Sequence, residues 1–122
     1  MKHNFKSIRP FIGAENFDIS RRFYQDLGFS EVLLSPGLCY FHSEGIGFYL
    51  QNAYVKDWVD NTMVFMEVAD VSSFYKNLES LQLPTKYAGV RLIPIKTLDW
   101  GSECFLHDPS GILWHFGEFA GK

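Results

Sequence analysis

Cysteine, long apolar runs and concentrated positive charge are all scarce in this chain. Cys39 and Cys104 are the only 2 cysteines among 122 residues, too few and too far apart for a disulfide framework or a zinc finger. A reduced, cytoplasmic setting is therefore expected. No stretch approaches the ~20 apolar residues that span a bilayer, so no membrane partner is expected. Met1 to Lys6 opens basic but then alternates rather than running apolar, and no signal peptide is expected. The 11 Lys and Arg are scattered and outweighed by 14 Asp and Glu, leaving a net charge of -3. That balance argues against nucleic acid as a partner and suits a neutral or cationic small molecule.

Aromatic rings are what the chain has in surplus: 12 Phe, 6 Tyr and 3 Trp, 17% of the residues. A chain of this length buries roughly two thirds of its unfolded surface, so it needs no metal or disulfide to hold a core. Rings beyond those the core uses line an apolar pocket or an oligomer interface.

Local patterns give an ordered series of elements. Phe5 to Ile12 reads as a strand. Asn16 to Asp18 supply capping side chains for a helix carrying Ile19, Phe23, Tyr24 and Leu27, closed by Gly28. Strands follow at Glu31 to Ser35, Leu38 to Ser43 and Gly47 to Asn52, separated by Pro36-Gly37 and Glu44-Gly45. After a polar connector with Lys56, Asp57, Trp58 and Asp60 the order restarts. A strand at Thr62 to Val68 precedes a helix begun by Asp70 with Val71, Phe74, Tyr75 and Leu78, and Pro84 lies beyond its end. Strands at Arg91 to Leu98, Ser102 to His107 and Ile112 to Phe119 complete the chain.

The second half repeats the first. Phe23-Tyr24-Gln25-Asp26-Leu27 recurs as Phe74-Tyr75-Lys76-Asn77-Leu78, and Cys39-Tyr40-Phe41-His42 recurs as Cys104-Phe105-Leu106-His107, with an insertion near Tyr87 to Asp99. Gly47-Phe48-Tyr49-Leu50 then answers to Leu113-Trp114-His115-Phe116. The modules are 1–54 and 61–122, joined by a connector at 55–60, within a single domain of 1–122.

Two segments carry a family resemblance across nearly the whole chain. Ser20-Arg21-Arg22-Phe23-Tyr24-Gln25-Asp26-Leu27-Gly28-Phe29 and Trp100-Gly101 through Asp108-Pro109-Ser110-Gly111 resemble the vicinal oxygen chelate superfamily, which includes glyoxalase I, extradiol dioxygenases and bleomycin resistance proteins. The resemblance implies an α+β fold: two βαβββ modules forming an incomplete mixed β-barrel, a cup, with helices packed outside and commonly completed as a homodimer. In metal-dependent members four His, Glu or Gln ligands come from the first and last strands of each module. Here those positions fall on Arg9, Tyr49, Met63 and His115. Arg has no lone pair to offer, a Met thioether is a poor ligand for Fe, Ni, Mn or Zn, and Tyr49 must first lose a phenolic proton. His115 alone is an ordinary ligand, and neither a metal nor another cofactor is expected.

Strand alternation places Phe11 beside Arg9, Gln51 beside Tyr49, and Phe65 and Glu67 beside Met63 on the cup face. Ile8, Ile12, Phe48, Leu50, Val64, Met66, Val68, Trp114 and Phe116 fall on the opposite, core faces. Arg9 is expected either to bind a ligand or to pair with Glu67. His42 and His107 hold equivalent places before turns, and a metal assembled from His42, His107 and His115 would ignore the family's geometry. The expected ligand-binding set is Arg9, Phe11, Tyr49, Gln51, Met63, Phe65, Trp100 and His115, with Trp58 a second candidate ring at the cup mouth and no catalytic residue. The resulting expectation is a metal-free, non-enzymatic, dimeric protein of the bleomycin resistance type, sequestering an aromatic or cationic ligand. The alternative is a lyase, isomerase or dioxygenase with a displaced metal site or with His115 as proton shuttle.

Overall fold

Asn16 starts the first helix as the sequence predicts: its side chain accepts the Ile19 N–H at 3.1 Å, and the extended backbone at this residue is that of an N-cap. Helix α1 (Phe17–Leu27) ends at Gly28 in the left-handed conformation, φ 119°. This computed structural model describes residues 2–121. Around α1 lie β1 (Phe11–Gly13), β2 (Ser30–Ser35), β3 (Leu38–Ser43) and β4 (Ile46–Gln51). The connector forms a one-turn helix, α2 (Lys56–Asp60), anchored by buried Val59.

The second module begins with β5 (Met63–Glu67) and α3 (Val71–Leu81), whose cap Asp70 accepts from the N–H of Ser73. After a four-residue helix, α4 (Leu83–Lys86), come β6 (Arg91–Leu98), β7 (Gly101–His107) and β8 (Leu113–Phe119). The sheets have the same topology, β1-β4-β3-β2 and β5-β8-β7-β6, with one parallel pair in each. The fold is α+β with two βαβββ modules, and neither four-stranded sheet closes into a barrel.

The registers of the two sheets correspond. Tyr49 stands between Phe11 and Tyr40, and His115 between Phe65 and Phe105. Cys39 pairs with Leu50 as Cys104 pairs with Phe116.

The first strand is shorter than the sequence suggests. Only Phe11–Gly13 pairs with β4, because β4 starts at Ile46 after its hairpin turn and leaves little strand opposite residues 5–8. Pro10 has no N–H to give, although its carbonyl accepts from Tyr49. Ile8 is therefore not a core residue. It is 94% exposed, and Phe5 is 90% exposed.

The core lies between the two helices and the inner sheet faces. Tyr24 is its centre, within 6 Å of Phe23, Phe41, Phe48 and Trp114 by ring centroids. Its hydroxyl donates to Asp108 Oδ2 at 2.6 Å and accepts from Trp114 Nε1 at 2.9 Å. Asp108 Oδ1 also accepts the N–H groups of Ser110, Gly111 and Ile112, at 2.8 to 2.9 Å. This fully buried carboxylate thus ties the Asp-Pro-Ser-Gly turn of the second module to the helix of the first. Burial pushes its pKa up, while the Tyr24 and amide hydrogen bonds oppose the rise.

Candidate functional site

With helices on one side of each sheet, the other sides remain open, and the residues expected to face a cup stand there in two groups. On the first sheet Phe11 stacks on Tyr49 at 4.6 Å, and Tyr40 lies 5.3 Å from Tyr49. Arg9 places its guanidinium over Tyr40, 4.3 Å from the ring centroid, and Nη1 donates to Tyr49 Oη at 3.0 Å. The Tyr49 hydrogen bond raises the Arg9 pKa above its ordinary value. Arg9 does not pair with Glu67, which lies in the other sheet, and no ion pair to Arg9 occurs among the described residues.

Gln51 borders a small cavity of about 110 Å³ between the end of the first sheet and α2, shared with Phe11, Val55 and Trp58. Trp58 is 74% exposed, so α2 brings a large free ring beside two residues of the expected set.

The second group is built on β5, β7 and β8. Phe65 approaches Trp100 at 6.0 Å, Phe119 at 5.7 Å and His115 at 6.5 Å, while Phe105 meets the His115 ring edge-on at 5.1 Å. Met63 stands at the margin, 65% exposed. His115 Nδ1 lies 3.0 Å from Glu103 Oε1. Glu103, buried to 8% exposure, is a residue that sequence reasoning missed. It sits opposite Gly117 and diagonal to His115 across the antiparallel β7/β8 pair, a relation only the register defines. Glu103 fixes the ring, leaving Nε2 as its other polar atom.

Close packing of both groups depends on glycine. A Cβ on Gly47 would fall 2.5 Å from the Tyr40 ring, and one on Gly117 would fall 2.7 Å from Phe65 and 3.2 Å from Trp100. Among the described residues no ring contact joins one group to the other. The eight expected residues thus fall into two groups on separate sheets.

The donor atoms in the two groups suit a metal ion poorly. Of the four family positions, Arg9 and Tyr49 bond to each other, Met63 is peripheral, and His115 faces Glu103. Among the described residues no three His, Cys, Asp or Glu side chains converge as metal ligands, which includes the His42, His107 and His115 trio. His107 instead approaches Arg91 Nη2 at 3.4 Å, and its pKa is lowered by burial and then by Arg91. The cysteines are not nucleophiles either: burial pushes Cys39 up to about 12 and Cys104 to about 11.

Comparison with known proteins gives a structural answer and no sequence answer. No family model matches the sequence, and no curated protein matches it. Among solved structures, the bleomycin resistance determinant encoded on transposon Tn5 superposes with a TM-score of 0.81 at 19% identity, covering 96% of this chain and 100% of that one. The bleomycin-binding protein of Streptomyces verticillus, complexed with copper(II)-bleomycin, gives 0.81 at 20% identity over 99% of this chain and 100% of that one. Lactoylglutathione lyase from Agrobacterium tumefaciens gives 0.72 at 18% identity, covering 95% and 96%. The chain has the fold of the vicinal oxygen chelate superfamily.

Proposed function

We propose that this chain is a small-molecule binding protein that holds an aromatic or heteroaromatic ligand between its two open sheet faces, acting by sequestration rather than by bond chemistry. The observation that carries the reading is the placement of rings around the positions where metal-dependent relatives carry ligands. Phe11, Tyr40 and Tyr49 surround one polar centre, and Phe65, Phe105 and Trp100 surround the other. Flat apolar surfaces with a few fixed polar groups suit a planar ligand. Solved proteins of the same fold bind bleomycin, which supports sequestration of an antibiotic-like molecule as the kind of task.

A homodimer belongs to the same reading. The two groups do not touch through their rings within one chain, and Phe11, Met63, Phe65 and Phe119, with Phe5 and Ile8, are exposed apolar side chains that a second copy would cover. A second copy that lays its second sheet over the first sheet of its partner would close each cup. Such a dimer would work in the cytoplasm, in keeping with two reduced cysteines.

Sedimentation velocity combined with a calorimetric screen of planar aromatic compounds tests this. A dimer that binds aromatic compounds, and loses them in Tyr49→Ala and Phe65→Ala, supports it; a folded protein indifferent to all of them refutes it.

One observation favours a second reading. The Glu103–His115 pair is the arrangement of an oriented general base, which a metal-free lyase or isomerase would use. Turnover of a carbonyl substrate that vanishes in His115→Gln would establish that reading instead.

A further inference from the structure

Arg9 differs from every other paired cation in the structure. Arg21 gives Nε and Nη2 to the two Glu31 oxygens at 2.7 and 3.0 Å, and Lys56 pairs with Asp60. Arg9 has no carboxylate within 4.0 Å among the described residues, yet its guanidinium is held in place from two sides, by the Tyr40 ring and the Tyr49 hydroxyl.

The surrounding face offers it no anion. The residues that register places on the open side of the first sheet are Phe11, Gly13, Ser30, Val32, Leu38, Tyr40, His42, Gly47, Tyr49 and Gln51, and none is Asp or Glu. Glu31 pairs with Phe41 and so lies on the other side, engaged by Arg21. The Tyr49 bond uses Nη1, leaving the Nε–Nη2 edge, which matches the two oxygens of a carboxylate or phosphate.

From this we infer that the ligand is a planar aromatic anion, its ring stacked on Phe11 and Tyr49 and its oxyanion taken by the Nε–Nη2 edge of Arg9. The inference rests on the binding reading above and narrows it. It also reverses what net charge suggests: the chain is acidic as a whole, but among the described residues the charge held over this face is the positive one of Arg9.

The test is calorimetry with three probes sharing one ring system: 2-naphthoate, 2-naphthylmethanol and 2-naphthylmethylammonium. A charge-assisted hydrogen-bond pair is worth roughly a ten- to hundredfold in affinity, so 2-naphthoate is expected to bind at least about tenfold more tightly than the alcohol. The ammonium should bind most weakly. Arg9→Met should bind 2-naphthoate no more tightly than the same variant binds the alcohol, and Arg9→Lys should restore only part of the difference. Arg9 is exposed, so circular dichroism should show these variants folded.

Equal binding of all three probes, or preference for the ammonium, overturns the anion inference and leaves the binding reading standing. Unchanged 2-naphthoate affinity in Arg9→Met also overturns it. No binding of any probe removes both.

Discussion

Arg9 Nη1 donates to Tyr49 Oη across 3.0 Å, so two of the four positions at which the family resemblance would put metal ligands hold each other. A guanidinium repels a metal cation, and a phenol that accepts from it is turned away from the lone-pair role a metal needs. His115, held by Glu103 through Nδ1, keeps Nε2 as a donor, but no second or third ligand converges on it among the described residues. In both modules the last strand thus presents a polar group fixed by a neighbour and framed by rings, the arrangement from which the proposal of a planar ligand is argued.

The Tyr24–Asp108–Trp114 chain is a structural counterpart buried beneath that site. Tyr24→Phe keeps the ring but strips Asp108 of one donor and leaves the Trp114 N–H without an acceptor. A loss of about 2–3 kcal/mol is expected, read as a lower urea midpoint with an unchanged slope. A variant as stable as the parent would mean that water replaces the hydroxyl.

Glu31 sets an acid limit. Its pKa is lowered chiefly by the Arg21 hydrogen bonds, so the folded state holds the proton less tightly than the unfolded chain. That stabilisation is complete above the ordinary glutamate value and is lost as pH falls through the lowered one. Glu31→Gln should cost about 1–2 kcal/mol at pH 7 and much less at pH 3, converging on the parent. Parallel stability curves for the two proteins from pH 7 to pH 3 would contradict the assignment.

Both thiols should be silent in the folded protein. With Cys39 near 12 and Cys104 near 11, and both side chains buried, iodoacetamide at pH 8 should label neither until denaturant is added. Mass spectrometry reads the outcome, and rapid native labelling would show that the core opens.

Gly117 separates site packing from fold stability. In Gly117→Ala the new methyl must displace Phe65 and Trp100, rings already partly open to solvent. The fold should lose no more than about 1 kcal/mol, while affinity for 2-naphthylmethanol falls about tenfold. Unaltered affinity would place the ligand away from the second sheet.

Much of this was legible in the sequence, for reasons that differ by element. Asn16 and Asp70 announce their helices because capping is a local hydrogen bond. The repeat is legible because Cys39, Phe41 and Phe48 face inward as Cys104, Leu106 and Trp114 do, and inward positions tolerate few residue types. What escaped depended on register and strand length. Glu103 reaches His115 only through a diagonal across two strands, and Tyr40 supports Arg9 only because Gly47 makes room. The first strand looked longer because Phe5 and Ile8 alternate like strand residues, whereas the opposing strand begins only at Ile46. The separation of the expected site into two halves is a property of how the sheets are placed, which no local pattern encodes.

The most direct measurement is an amide NMR titration run in parallel with two additions, 2-naphthylmethanol and Zn²⁺. The account predicts saturable shifts from the naphthyl compound that cluster at Phe11, Tyr49, Gln51, Phe65 and His115, with no saturable response to Zn²⁺. Saturable Zn²⁺ shifts at Tyr49 and His115, with the naphthyl compound inert, would contradict it.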